Sequence, residues 1–418
     1  MPEMTMRTTQ TRLLLSGVAT IALMGPAMAL DAQAFVDRIA EVYKPLGYDF
    51  TFGAATLDGD TITVDGGTVT IVSSPDAALE PMTFDTEVTF TGVVENADGS
   101  YTAESVTIPD IDTDFAEEPA GHLTLSDIRV DGFYLPAGNP VPSIGLLQLF
   151  QSFSTGPLSV TRDGEEIFSF ETMASQSTFN PSFATTELAD LSSTFLISGI
   201  SADLTSVAEE DPGAGATIEA LGLTNVTGEI YMEMSWAMAD GHLDVTAFTL
   251  DFDDVGALDL TFEVTGFTPG VLDQIYAMQA SMSAGGELTE EQAQAQMMQG
   301  MALMQGVNIV SAAIRYDDAS LAGKLLDFFA TQSGADRASF VEGLKAMLPA
   351  MLAETGIPAL NDLVVPPVSA FLDDPQSLEV SVNPPSPTSL LVLMAAAANP
   401  AGLITALGLA VEANQPVD

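Results

Sequence analysis

The spacing of apolar residues changes period twice along this chain. Between residues 31 and 47, Phe35, Ile39, Val42 and Tyr43 recur three and four residues apart, the period of an amphipathic helix. Pro45 and Gly47 end that helix. Alternation follows. Ile62, Val64, Val69 and Ile71 flank Asp65-Gly66-Gly67, which predicts a hairpin. Strands are expected over 84–93 and 101–108 around the turn Asn96-Ala97-Asp98-Gly99. Others are expected over 123–133, over 158–170 around Asp163-Gly164, and over 195–204. Residues 209–215 read as an exposed loop. The strongest β signal covers 229–236, 242–252 and 258–264, a three-strand meander turning at Ala239-Asp240-Gly241. Such alternation gives each strand one apolar and one polar face.

After Pro269 the helical period returns with Leu272, Ile275, Met278 and Met282. Thr289-Glu290-Glu291-Gln292 opens a Gln- and Met-rich helix carrying Met297, Met298, Met301 and Met304. A strand is expected over 308–316. A helix with Leu321, Leu325, Phe328 and Phe329 follows, then one with Phe340, Leu344, Met347, Leu348 and Leu352. A short helix near Pro358 should stop at Pro366-Pro367, because proline removes a backbone donor. Residues 378–382 form a strand, and 409–413 close a sheet edge. Between them, the apolar run 389–398 is too short to span a bilayer and reads as a buried core helix.

These elements define an α+β chain. A large, elongated antiparallel β sheet forms a meander, and helices concentrated in the C-terminal part pack on its apolar face. Residues 30–268 are mainly β after an N-terminal helix. Residues 269–418 are mainly α, with strands that complete the same sheet. Ahead of both, Arg7 and Arg12 precede an apolar segment over 13–24, and Ala27-Met28-Ala29 has small residues at the spacing read by signal peptidase. The expectation is a signal peptide over 1–29, a periplasmic or secreted product, and no transmembrane segment after cleavage.

Composition narrows the partners. The chain has 10 basic and 58 acidic residues, a net charge of −48 and no cysteine. Such a surface repels nucleic acid and anionic headgroups, so nucleic acid is not an expected partner. Its apolar fraction, 47%, separates it from charged disordered chains.

Little in the sequence carries chemistry. The two histidines, His122 and His242, sit in the short echo Gly121-His122-Leu123-Thr124-Leu125 and Gly241-His242-Leu243-Asp244-Val245. Neither adjoins a nucleophile-elbow motif. No phosphate-binding glycine motif is present, and no cofactor is expected. Asp110, Asp112 and Asp114 have the alternation that opens a calcium loop, but Phe115 stands where such a loop needs glycine. They are candidate calcium ligands, weighed against a solvated acidic edge. An apolar ligand surface is expected from Met297, Met301, Met304, Leu321, Leu325 and Phe328, because methionine suits adaptable apolar surfaces. Ordinary helix-to-sheet packing is the alternative.

The segment Leu30-Asp31-Ala32-Gln33-Ala34-Phe35 through Tyr43, with Gly59-Asp60-Thr61-Ile62-Thr63-Val64, resembles exported alphaproteobacterial proteins with a DUF2125-type domain. Arg315-Tyr316-Asp317-Asp318-Ala319-Ser320-Leu321 and Phe371-Leu372-Asp373-Asp374-Pro375-Gln376-Ser377-Leu378 resemble C-terminal parts of AsmA-like or YdgA-like periplasmic proteins. The resemblance implies an envelope location and a role in handling lipid or outer-membrane components. It implies no catalytic residue. The functional expectation is a non-catalytic protein carrying a lipid or other apolar ligand on a curved sheet. The alternatives are a hydrolase using acidic residues and an envelope scaffold that binds another envelope protein.

Overall fold

The computed structural model describes residues 30–71, 82–117, 119–138, 149–180, 190–205, 211–283, 290–396 and 400–416. The expected signal segment, 1–29, lies outside them.

The N-terminal helix is Ala32–Tyr43. Asp31 caps it, its Oδ1 accepting from the amides of Gln33 (2.9 Å) and Ala34 (3.2 Å). Its apolar stripe, Phe35, Val36, Ile39 and Val42, is buried against Ile62, Val64, Phe90, Val106 and Phe133 of the sheet. The Phe35 ring meets those of Phe90 and Tyr101 edge-on, 5.0 and 5.5 Å between centres. Arg38 pins the helix to the chain that follows the strand Ile128–Leu135, donating to the carbonyls of Pro136 and Gly138.

Every strand pairing is antiparallel, and together they make one sheet. Asp190–Asp203 pairs with Asn225–Ala237, which pairs with His242–Phe252, then Gly256–Thr265. The sheet continues into the C-terminal part through Asn308–Asp318, Ser377–Val382 and the edge strand Leu409–Ala413. The large antiparallel sheet and the C-terminal concentration of helices are therefore as the periodicity predicts.

Several long strands are interrupted midway, and the interruptions lie side by side. Asp127 donates its amide to Asp110 Oδ1 (3.0 Å), Gly156 to the Ser126 carbonyl (2.9 Å) and Glu171 to the Ser198 carbonyl (3.0 Å). The row reaches a bulge at Gly199, whose φ is +64°. A Cβ there would overlap the Glu171 side chain, so the bulge favours glycine. Bulges bend strands and increase their twist.

Four local expectations change. Asp65-Gly66-Gly67 is a bulge inside the single strand Thr61–Ile71 and not a hairpin. Gly53 packs its backbone against the bulge, donating to the Gly66 carbonyl (2.9 Å) where a Cβ would clash with the Asp65 carbonyl. In the expected 209–215 loop, residues from Pro212 onward form the helix Pro212–Leu221. Asp211 caps it and proline occupies its first turn, where the missing amide is not needed. The helix Ala359–Asp373 runs through Pro366 and Pro367. Packing against the helix Arg337–Ala353 and the strand Leu409–Ala413 offsets a cost of about 3 kcal/mol per interior proline. Finally, Leu390–Ala396 is not a buried core helix. Leu393 is buried, but Val392 and Met394 are 53% and 59% exposed.

Candidate functional site: an open apolar trough on the sheet

Strand alternation and register determine what each face of the C-terminal sheet carries. In Gly256–Thr265, Leu258, Leu260, Phe262 and Val264 share one face, while Asp259, Thr261 and Glu263 share the other. The pairing carries the apolar face onward. Leu260 lies opposite Ile314, Ile314 opposite Val380, and Val380 opposite Val411. A second row runs Phe262, Ala312, Val382, Leu409. On the reverse face Arg315 holds Asp317 through two hydrogen bonds of 2.7 Å and lies 3.6 Å from Glu379.

Helices stand at both ends of these strands. At the Asp318 end, Ala359–Asp373 packs on Ser377–Val382, and Phe371 meets Tyr316 of the apolar face edge-on at 6.5 Å. Tyr316 donates to the Val255 carbonyl, and its hydroxyl lies 2.8 Å from Asp318 Oδ1. Burial, and then the bond to Asp318, pushes its phenol above the ordinary range. At the Asn308 end stand Glu290–Gly306 and Leu390–Ala396, with Pro269–Ser283 packing Leu272 against the buried Trp236 and Met238. Between the two ends the floor is open: Phe262 is 39%, Ile314 53% and Val380 41% exposed. Full burial of one such side chain is worth ~1.5–3 kcal/mol, and about half of that is unrealised at each of the three.

The six residues expected to form one apolar surface are divided by this arrangement. Met297, 67% exposed, and Met301, 45% exposed, lie on Glu290–Gly306 before the strand Asn308–Asp318; Leu321, Leu325 and Phe328 lie on Leu321–Ser333 after it. The two helices join opposite ends of an eleven-residue strand, roughly 35 Å long at ~3.3 Å per residue. Met304 shares the first helix, and its side chain is outside the described residues. Phe328 instead helps line a 590 Å³ concavity with Ala220, Lys324 and Thr331. The floor residues Phe262, Ile314 and Val380 were missed as a site. Their signal was the alternation in 258–264, 308–316 and 378–382, but only the register brings the three segments together.

The calcium expectation meets a different structure. Asp112 and Asp114 belong to the strand Ile111–Glu117, not to a loop. His122 on the neighbouring strand sits between them, Nδ1 2.8 Å from Asp114 and Nε2 3.3 Å from Asp112. Asp110 accepts the Asp127 amide. Among the described residues no group of three or more His, Cys, Asp or Glu side chains is arranged to hold a metal ion. The histidine echo extends to this pairing, because His242 Nε2 lies 2.7 Å from Glu263 Oε1 on its own neighbouring strand.

On the polar face, a concavity of 720 Å³ is lined by Glu166, Glu171, Glu229, Asp251 and Asp253 beside the Gly199 bulge. Glu166 accepts from Ser159 (2.6 Å) and Ser169 (2.9 Å), and Asp253 from Thr227 (2.7 Å). Among the described residues no helix is long and apolar enough to cross a membrane.

Residues 249–414 are similar to a family described as an uncharacterized protein. That span starts in His242–Phe252 and ends at Asn414, so it contains the floor of the trough and the helices at both its ends. No curated protein matches the chain.

Proposed function

We propose that this chain is a non-catalytic protein of the bacterial envelope that holds the acyl chains of a lipid on its apolar sheet face. The observation carrying this reading is the exposed patch of Phe262, Ile314 and Val380 on one sheet face, with helices joined at both strand ends. A fully covered face would give a ligand nothing to bind. An open one lets a flexible chain lie across neighbouring strands and gain the remaining burial energy. The basic n-region and the Ala27-Met28-Ala29 pattern support export.

Native mass spectrometry of protein purified from an envelope fraction tests this. A bound lipid in wild type that is missing from Ile314→Asp supports the trough. A clean apo mass that added phospholipid does not change sinks it and favours a scaffold. A hydrolytic reading rests on the carboxylates of the polar concavity. It requires turnover of a glycoside or ester panel that disappears in Asp251→Asn with Glu229→Gln.

A further inference from the structure

The two ends of the trough differ in charge. In a chain of net charge −48, no residue from Gln292 to Ile314 is charged, and none from Val380 to Val411. These segments are far apart in sequence but meet in the fold. Leu390–Ala396 packs against Glu290–Gly306 and Pro400–Leu407, and Thr388–Ser389 pairs with Asn308 and Ile309. The tip they form exposes Met297 (67%), Met298 (66%), Val392 (53%) and Met394 (59%). The helices at the other end carry Lys324, Asp327, Arg337, Glu342, Lys345, Asp362 and Asp373, with Asp336 as a cap, against Asp273, Glu290 and Glu291 at the Asn308 end.

We propose that this charge-poor tip docks on the surface of a zwitterionic lipid bilayer through its exposed Met297, Met298, Val392 and Met394, placing the Asn308 end of the trough against the membrane. The proposal rests on the acyl-chain reading above and names where such a chain enters. Charged side chains resist transfer into the headgroup–acyl boundary, and exposed methionine, valine and leucine favour it. A bilayer also accepts an irregular apolar surface without shape complementarity. A protein partner would instead be expected to meet a charged or polar rim around an apolar centre; here the charges of the helices at this end are confined to Asp273, Glu290 and Glu291, and the spans 292–314 and 380–411 carry none. The acidic body opposes approach to anionic headgroups, so the preferred surface is neutral.

Flotation of the full-length mature protein with phosphatidylcholine vesicles tests the docking. Fluorescent fatty-acid binding in the absence of vesicles separately tests the trough. Wild type is expected to float with neutral vesicles and less with vesicles rich in phosphatidylglycerol. The double variant Met297→Glu with Met394→Glu should lose about tenfold or more in vesicle partitioning yet bind the fatty acid as wild type does. Ile314→Asp should do the reverse. Wild type that stays unbound to neutral vesicles, or a double variant that floats like wild type, overturns the docking. So does a wild-type dimer in solution that the double variant dissolves, because the tip is then a contact between copies. If wild type floats but neither protein binds the fatty acid, the trough reading fails independently.

Discussion

Ile314 and Val380 face each other across adjacent strands, yet 53% of the first and 41% of the second remain exposed. Directly opposed aliphatic side chains at the middle of a sheet normally lie under a second layer. Here the described helices leave both residues open. Replacing either residue by aspartate should therefore cost about 1–2 kcal/mol, below the ~2–5 kcal/mol typical of a packed core site. It should also abolish binding of a fluorescent fatty acid. Urea unfolding and ligand titration on the same samples separate the effects, and a large loss of stability would mean that the pair is packed core.

The opposite case is Phe35. Fully buried, it meets Phe90, Tyr101 and Phe133 edge-on. Phe35→Ala should cost about 3–5 kcal/mol through lost burial and the cavity left behind. A lowered urea midpoint measured on the N-terminal strands, by hydrogen exchange at Ile62 and Val64, checks this. Unchanged protection there would show that the helix is not the second layer of that part of the sheet.

These two sites also mark what was legible in the chain. The Phe35 helix and the meander over 225–265 rest on local periodicity, and local periodicity survives folding. The floor was not legible, because Ile314 and Val380 lie in segments whose register depends on the bulge between Glu263 and Val264 and on strand pairing across three intervening helices. The Met297 and Phe328 helices looked like one surface because both are apolar, but a whole strand separates them. The Pro212 helix was signalled by Asp211-Pro212, a capping residue followed by first-turn proline. Its glycines, which weaken helices, concealed it.

Asn414 closes the matched span as a four-way tie. Its Oδ1 accepts from the amides of Gln376 and Ser377 (both 3.2 Å), and its Nδ2 donates to the carbonyls of Asp374 (2.9 Å) and Ala370 (3.3 Å). Its φ of +58° is one that glycine adopts freely. Asn414→Gly should cost about 1–3 kcal/mol for lost hydrogen bonds, and Asn414→Ala about 1 kcal/mol more for backbone strain. Equal stabilities of the two variants would count against the strain component.

Acid should act on the Asn96–Ser100 turn. Asp98 Oδ1 accepts from the Ser100 amide (3.0 Å) and hydroxyl (2.7 Å), and these bonds, the backbone one foremost, lower its pKa from 3.8. A lowered folded-state pKa contributes stability that is full above 3.8 and lost as pH falls through the folded value. Wild type should therefore exceed Asp98→Asn in stability at pH 6, and the gap should close on acidification below about pH 4. The carboxylate is largely solvated, so the gap should be small. Thermal unfolding of both proteins across pH 2.5–6 measures it, and a gap that widened on acidification would contradict the assignment.

Salt should stabilise the fold. With 58 acidic and 10 basic residues, self-repulsion opposes the compact state, because folding brings like charges closer together than in the expanded chain. The polar concavity concentrates the effect, with five carboxylates around one opening. Sodium chloride screens such charges over ~3 Å at 1 M against ~30 Å at 0.01 M. The melting temperature should therefore rise with salt between those limits. Because apolar contact does not depend on that screening, fatty-acid binding at the trough should weaken little over the same range. Parallel melting and binding series decide the matter. A binding constant falling steeply with salt would mean that a charged group, and not the Phe262–Ile314–Val380 floor, holds the ligand.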